Sequence, residues 1–134
     1  MAKTTRTALV VDDEVVTRDF LRAILESIDW KVIEAPDGQA ALKMAVKQKP
    51  QLILLDVQMP GESGFSTFAN LRENSATSDI PVIMVTGVAE KTGIRFSGQD
   101  MGEFIGQEPD AYLEKPVDPE TLIGTIRRLL GGQQ

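Results

Sequence analysis

Short apolar runs alternate five times with longer amphipathic segments, and no feature of this sequence restricts the fold more. Ala8-Leu9-Val10-Val11 reads as a buried strand. Apolar residues at Val16, Phe20, Leu21, Ile24, Leu25 and Ile28 then recur at helical spacing. Residues 31–35 are short and alternating, which predicts an edge strand, and Asp37-Gly38 opens a second helix with Ala41, Leu42, Ala45 and Val46 on one face. Pro50 marks the break after it. Residues 51–55 form a third strand, apolar enough to be covered on both faces. A Met59-Pro60-Gly61 loop leads into a third helix carrying Phe65, Phe68, Ala69 and Leu71, and residues 81–85 make a fourth strand whose first residue is a tolerated Pro.

Residues 87–110 carry Gly87, Gly93, Gly98, Gly102 and Gly106, each diluting helical propensity by up to ~1 kcal/mol at an interior position. Ser97 and Asp100 nevertheless resemble a capping box, and Met101, Phe104 and Ile105 share an apolar face, so a short, marginal fourth helix is expected there. Ala111-Tyr112-Leu113 is the fifth strand. Asp118-Pro119-Glu120 supplies an N-cap, a first-turn Pro and a first-turn acid for a last helix. Its stripe is Leu122, Ile123, Ile126, Leu129 and Leu130; Arg127 and Arg128 stand near its negative end, and Gly131 ends it. Strict strand–helix alternation implies parallel strands, right-handed crossovers and helices on both sheet faces. A length of 134 residues fits one domain, with its core at about 6–130 and a tail at 131–134.

The chain has no Cys and no His. Disulfides, thiolate zinc sites, Ser-His-Asp catalysis and a phosphohistidine carrier role are therefore excluded. With 14 Lys and Arg against 20 Asp and Glu, a net charge of −6 disfavours binding to nucleic acid or anionic lipid. The longest apolar stretches are far shorter than a membrane span, and the first residues lack a signal core, so a cytoplasmic location is expected.

Open α/β sheets bind ligands at the carboxyl ends of their strands. Strand one is followed by Asp12-Asp13, strand three ends at Asp56, strand four at Thr86, and strand five is followed after Glu114 by Lys115. Three clustered carboxylates repel one another unless a cation is present. A hard divalent ion answers that repulsion, and Mg²⁺ suits a site that supplies a few oxygen ligands and leaves room for phosphate oxygens. Lys115 adds a point charge for an anion, and Thr86 a hydroxyl donor. Neither GxxxxGK[ST] nor GxGxxG occurs. A carboxylate can itself be the nucleophile, so phosphoryl acceptance on an Asp explains this set better than metal storage.

Four segments in order, Val10-Val-Asp-Asp-Glu14, Leu54-Leu-Asp-Val-Gln-Met-Pro-Gly61, Val85-Thr-Gly87 and Ala111-Tyr-Leu-Glu-Lys-Pro116, closely resemble the receiver domain of bacterial two-component response regulators, including its chemotaxis member. The resemblance covers roughly residues 6 to 130. It implies a flavodoxin-like (βα)5 doubly wound parallel sheet with strand order 2-1-3-4-5. It also implies that Asp56 is the phosphoacceptor, that Asp12, Asp13, Asp56 and the backbone carbonyl of Gln58 hold Mg²⁺, and that Lys115 contacts the phosphoryl group. Thr86 and Tyr112 would be the switch pair, and the Lys115–Pro116 bond would be cis. The phosphoryl donor would be a sensor histidine kinase or a phosphotransfer protein. No turnover of an external substrate is implied beyond self-phosphorylation from a phosphodonor and self-dephosphorylation. Ser63 stands where the family often has Asp, and Gln58 and Val88 occupy the variable positions that tune phosphoryl lifetime. The Thr86-to-Lys115 interval is longer than the family's usual one. Residues 87–110 are expected to be the most mobile ordered part, with a downstream partner docking on 87–113 and the last helix.

Two other functions compete. A small Mg²⁺-dependent phosphatase with Asp56 as nucleophile would want an acid at position 58, which is Gln58, and a cap for which the chain is too short. A flavodoxin-like FMN binder would want phosphate-binding hydroxyls where Asp12-Asp13-Glu14 stands.

Overall fold

Each of the three central apolar runs is covered on both faces, and that coverage organises the molecule. The computed structural model describes residues 6–59, 62–87 and 109–130. Five strands, β1 (Arg6–Val11), β2 (Trp30–Ala35), β3 (Leu52–Asp56), β4 (Val82–Thr86) and β5 (Ala111–Glu114), form a parallel sheet in the order β2-β1-β3-β4-β5. The flavodoxin-like order expected from the resemblance is the order found, with β2 and β5 at the edges.

The period of two divides each central strand between two cores. Ala8, Val10, Leu52, Leu54, Ile83 and Val85 face α1 (Val15–Ser27) and the last helix (Pro119–Leu129), through Leu21, Ile24, Leu25, Leu122 and Ile126. Leu9, Val11, Ile53, Leu55, Val82 and Met84 face α2 (Gly38–Gln48) and α3 (Gly64–Glu73), through Ala41, Ala45, Phe68 and Leu71. The predicted cap at Asp118 is in place, accepting the N–H of Thr121 at 2.9 Å, and Asp37, where the second helix was expected to open, accepts that of Ala40 at 2.8 Å. The Lys115–Pro116 peptide is cis, as expected.

Two findings depart from the sequence reading or extend it. In α1, Leu21, Ile24 and Leu25 are buried, but Val16 is 80% and Phe20 44% exposed. At the helical repeat, Val16 and Phe20 fall to one side of the stripe that Leu21, Ile24 and Leu25 bury, whereas Thr17 and Arg18 in the same turns are half-buried. Met59, expected in a loop, instead belongs to a two-residue antiparallel ribbon, Gln58–Met59 with Glu62–Ser63, too short to show a periodicity. The fourth helix expected around Met101 to Ile105, and Val88, lie outside the described residues.

Candidate functional site

The register brings the predicted residues to one edge. Val11 pairs with Leu55, so Asp12 and Asp56 leave adjacent strands side by side. Asp56 pairs in turn with Val85, the neighbour of Thr86. Thr86 pairs with Glu114, and the Thr86 carbonyl accepts the N–H of Lys115 at 2.8 Å. Asp12 and Asp56 are buried at 1% and 4% exposure, whereas Asp13 is exposed.

Carboxylate oxygens of Asp12, Asp13 and Asp56 all lie within 4.8 Å of one another. The Lys115 Nζ stands 3.2 Å from Asp12 Oδ2 and 3.2 Å from Asp56 Oδ1. One ammonium does not offset three carboxylates. Burial, with the charge of Asp12 and then Asp13, pushes the Asp56 carboxyl up to about 6 against the opposing pull of Lys115. For Lys115, burial pulls downward but is outweighed by Asp56 and Asp12, so its ammonium is held above the usual lysine value. The donor set consists of hard oxygens with one open side at Asp13, which fits a small divalent cation that keeps part of its hydration.

The remaining predicted residues are Gln58, Thr86 and Tyr112. Gln58 begins the ribbon directly after the Asp56 strand. Thr86 is buried at the end of β4. Tyr112 is half-buried on β5, opposite Met84 and packed against the α2–α3 core. Because Met84 and Thr86 are two residues apart, Tyr112 and Thr86 share a sheet face and are diagonal neighbours. Tyr112 is thus placed behind Thr86, away from the acid cluster.

Two supporting residues escaped the sequence reading. Gly64 opens α3 and donates its N–H to the Val57 carbonyl at 2.7 Å. A Cβ built there would stand 2.3 Å from the Asp56 carbonyl oxygen, so no larger residue fits without moving the backbone that carries Asp56. The signal available was a glycine at a helix start, where a better helix former costs less. Arg18 donates from Nη1 to the Asp12 carbonyl at 2.7 Å and from Nε to Glu34 at 2.8 Å. Its signal was an acid, Glu34, on an otherwise largely apolar strand, with Arg18 and Arg22 one turn apart on the preceding helix.

Comparison with known proteins agrees with this geometry. Residues 8–127 match the family model described as the response regulator receiver domain. Protein PilH of Pseudomonas aeruginosa is 37% identical over 128 residues, covering 92% of this chain and 97% of that protein. The phosphate regulon transcriptional regulatory protein PhoB of the same organism is 34% identical over 125 residues. That match covers 93% of this chain but 52% of PhoB, so the chain spans about half the length of that regulator. Among solved structures, the Vibrio cholerae chemotaxis protein CheY4 superposes with a TM-score of 0.79 at 30% identity, covering 93% of this chain and 98% of that one.

Proposed function

This chain belongs to the response regulator receiver domain family, and we propose that it is a phosphoryl-accepting switch in which Asp56 is the acceptor and Mg²⁺ the required ion. The observation that supports the reading best is the clustering of Asp12, Asp13 and Asp56 within 4.8 Å beside an ammonium 3.2 Å from the acceptor. A carboxylate oxygen of Asp56 attacks the phosphorus of a donor phosphoryl group. The P–N bond of a phosphohistidine, or the P–O bond of acetyl phosphate, breaks and the leaving group takes its electron pair. Mg²⁺, held by the three carboxylates and the Gln58 carbonyl, would neutralise charge on the phosphoryl oxygens. Lys115, already between Asp12 and Asp56, is placed to turn toward a phosphoryl oxygen once one arrives.

Readout would pass through Thr86. Its hydroxyl moves toward the phosphoryl group, and Tyr112 turns inward behind it on the same sheet face. The surface of β5 and the last helix, with residues 87–113, is where a downstream partner would sense the change. The donor would be a histidine kinase or a phosphotransfer protein, and residues 1–134 would act as one receiver unit. No described helix is long and apolar enough to cross a membrane. The acid cluster would also serve a Mg²⁺-dependent phosphatase, but the family match favours the receiver reading over both competing functions.

Incubation with Mg²⁺ and acetyl phosphate, followed by intact-mass measurement, tests the proposal. One phosphoryl group should be gained, and chelating Mg²⁺ should prevent the gain. Mass gain undiminished by chelation would contradict the role given to the ion.

A further inference from the structure

The acid cluster is held from several directions, and one of its supports lies outside the reacting groups. Asp12 donates its N–H to the Ala35 carbonyl at 3.2 Å. Its Oδ1 accepts the Glu14 N–H at 2.9 Å, and its Oδ2 faces Lys115. The remaining polar atom of Asp12 is its carbonyl, which belongs to the peptide joining it to Asp13. That carbonyl accepts Arg18 Nη1 at 2.7 Å.

Arg18 is itself fixed. Its Nε meets Glu34 Oε1 at 2.8 Å, and the other Glu34 oxygen, Oε2, meets Arg22 Nε at 2.6 Å. Arg22 reaches on to Glu26 at 3.2 Å. The Arg18 side chain is 15% exposed and that of Glu34 22%, so this pair is not a loose surface contact. The guanidinium spans two acceptors with separate N–H groups, which its planar fork allows and an ammonium does not. The network joins two guanidiniums to two carboxylates, so the charge of Arg18 is offset locally.

We infer that Arg18 is a positioning residue for the cation site: it clamps the Asp12–Asp13 peptide to α1 and β2, and so fixes the direction in which the exposed Asp13 presents its carboxylate. The inference rests on Asp12, Asp13 and Asp56 being the Mg²⁺ ligands, as proposed above. It has a consequence of definite sign. By Coulomb's law alone, removing a positive charge beside a cation site tightens cation binding. If Arg18 works through geometry, removing it loosens binding, because Asp13 is no longer held in register.

Titration calorimetry with MgCl₂ on the intact chain separates these outcomes. Arg18→Met should raise the Mg²⁺ Kd by roughly 10-fold or more, the size expected when the partner that orients a metal ligand is removed. Arg18→Lys keeps the charge and most of the stem, so it protects the test against a folding failure. It should also weaken binding several-fold, because one ammonium cannot span both acceptors. The amide resonance of Asp13 should shift in both variants before Mg²⁺ is added. Affinity in Arg18→Met equal to or tighter than wild type, or wild-type affinity in Arg18→Lys, would overturn the inference. Asp13→Ala identifies which reading has failed. If it binds Mg²⁺ as wild type does, the ligand assignment falls and this inference with it. If it loses binding while the Arg18 variants do not, the ligand assignment stands and only the inference falls.

Discussion

The two ends of the sheet use the same residue types to opposite effect. At the carboxyl edge, three carboxylates cluster with one ammonium that reaches two of them, and Asp56 is pushed up to about 6 by its burial and its acidic neighbours. At the amino edge, Asp110 alone answers to a guanidinium and a backbone N–H. Its Oδ2 accepts Arg72 Nη2 at 2.9 Å and Val82 N at 2.8 Å. Arg72 also donates to the Ile80 carbonyl at 2.9 Å and lies over the Phe68 ring at 4.7 Å. There an acid is matched to its donors, and the result is a clasp that fixes where β4 and β5 begin. At the other edge acid exceeds the chain's own cation, and such a surplus is a poor way to hold a fold together. It is a good way to recruit a cation and a phosphoryl group.

The sharpest way to break this contrast is to neutralise one acid at each end. Asp56→Asn should abolish phosphoryl gain from acetyl phosphate, while Asp110→Asn should be phosphorylated as wild type is; intact mass reads both. A phosphorylated Asp56→Asn protein would remove the basis for treating the carboxyl edge as the reactive one.

The next effect is on stability against pH. A folded-state carboxyl at about 6, against 3.8 for an ordinary aspartate, means the fold binds more protons than the unfolded chain between those values. Its contribution is therefore most favourable at low pH. It is lost as pH rises through that interval, and above it the ionised group destabilises the metal-free fold by on the order of 3 kcal/mol. Asp56→Asn should lack this component. Urea unfolding at several pH values in EDTA, followed by the single buried Trp30, measures it as the difference between the two proteins. Parallel pH profiles would show that Asp56 is not strained.

Cation binding should relieve the same strain. At a Mg²⁺ concentration about 100 times its Kd, the fold should gain roughly 2.7 kcal/mol, read as a higher Tm, and Asp13→Ala should lose most of that gain. The amino-edge acid offers the smallest effect. Asp110→Ala leaves the buried Val82 N–H without its acceptor and should destabilise by about 1–2 kcal/mol, with no change in the Mg²⁺-induced rise. A Mg²⁺ response that fell along with stability would join the two ends that the structure keeps apart.

Much of this was legible in the chain itself. Residues 51–55 are apolar at every position after the first, which requires cover on both faces, and the structure divides them between two cores. Asp37 and Asp118 announced their helices because capping is a matter of three residues. Asp12, Asp13, Asp56 and Lys115 stood out because each follows an apolar run. What escaped was long-range or too short for a period. Val16 and Phe20 are apolar and four residues apart, yet both are exposed because they sit to one side of the face that Leu21, Ile24 and Leu25 bury. Gly64 gave only a weak local signal, since its constraint is a carbonyl from another segment.

The sequence by itself determined the alternation of elements, the absence of imidazole and thiol chemistry, and the kinds of group available at each strand end. These follow from residue identity and from periodicities that extend over a few residues, and neither depends on what lies across space. Tertiary structure alone decided that Asp12, Asp56 and Lys115, spread over 103 positions, meet within hydrogen-bonding distance of one ammonium. It also decided that Arg18 reaches Glu34 and the Asp12 carbonyl together. Those meetings depend on strand order and register, which are set by the collective burial of both sheet faces and belong to no single segment.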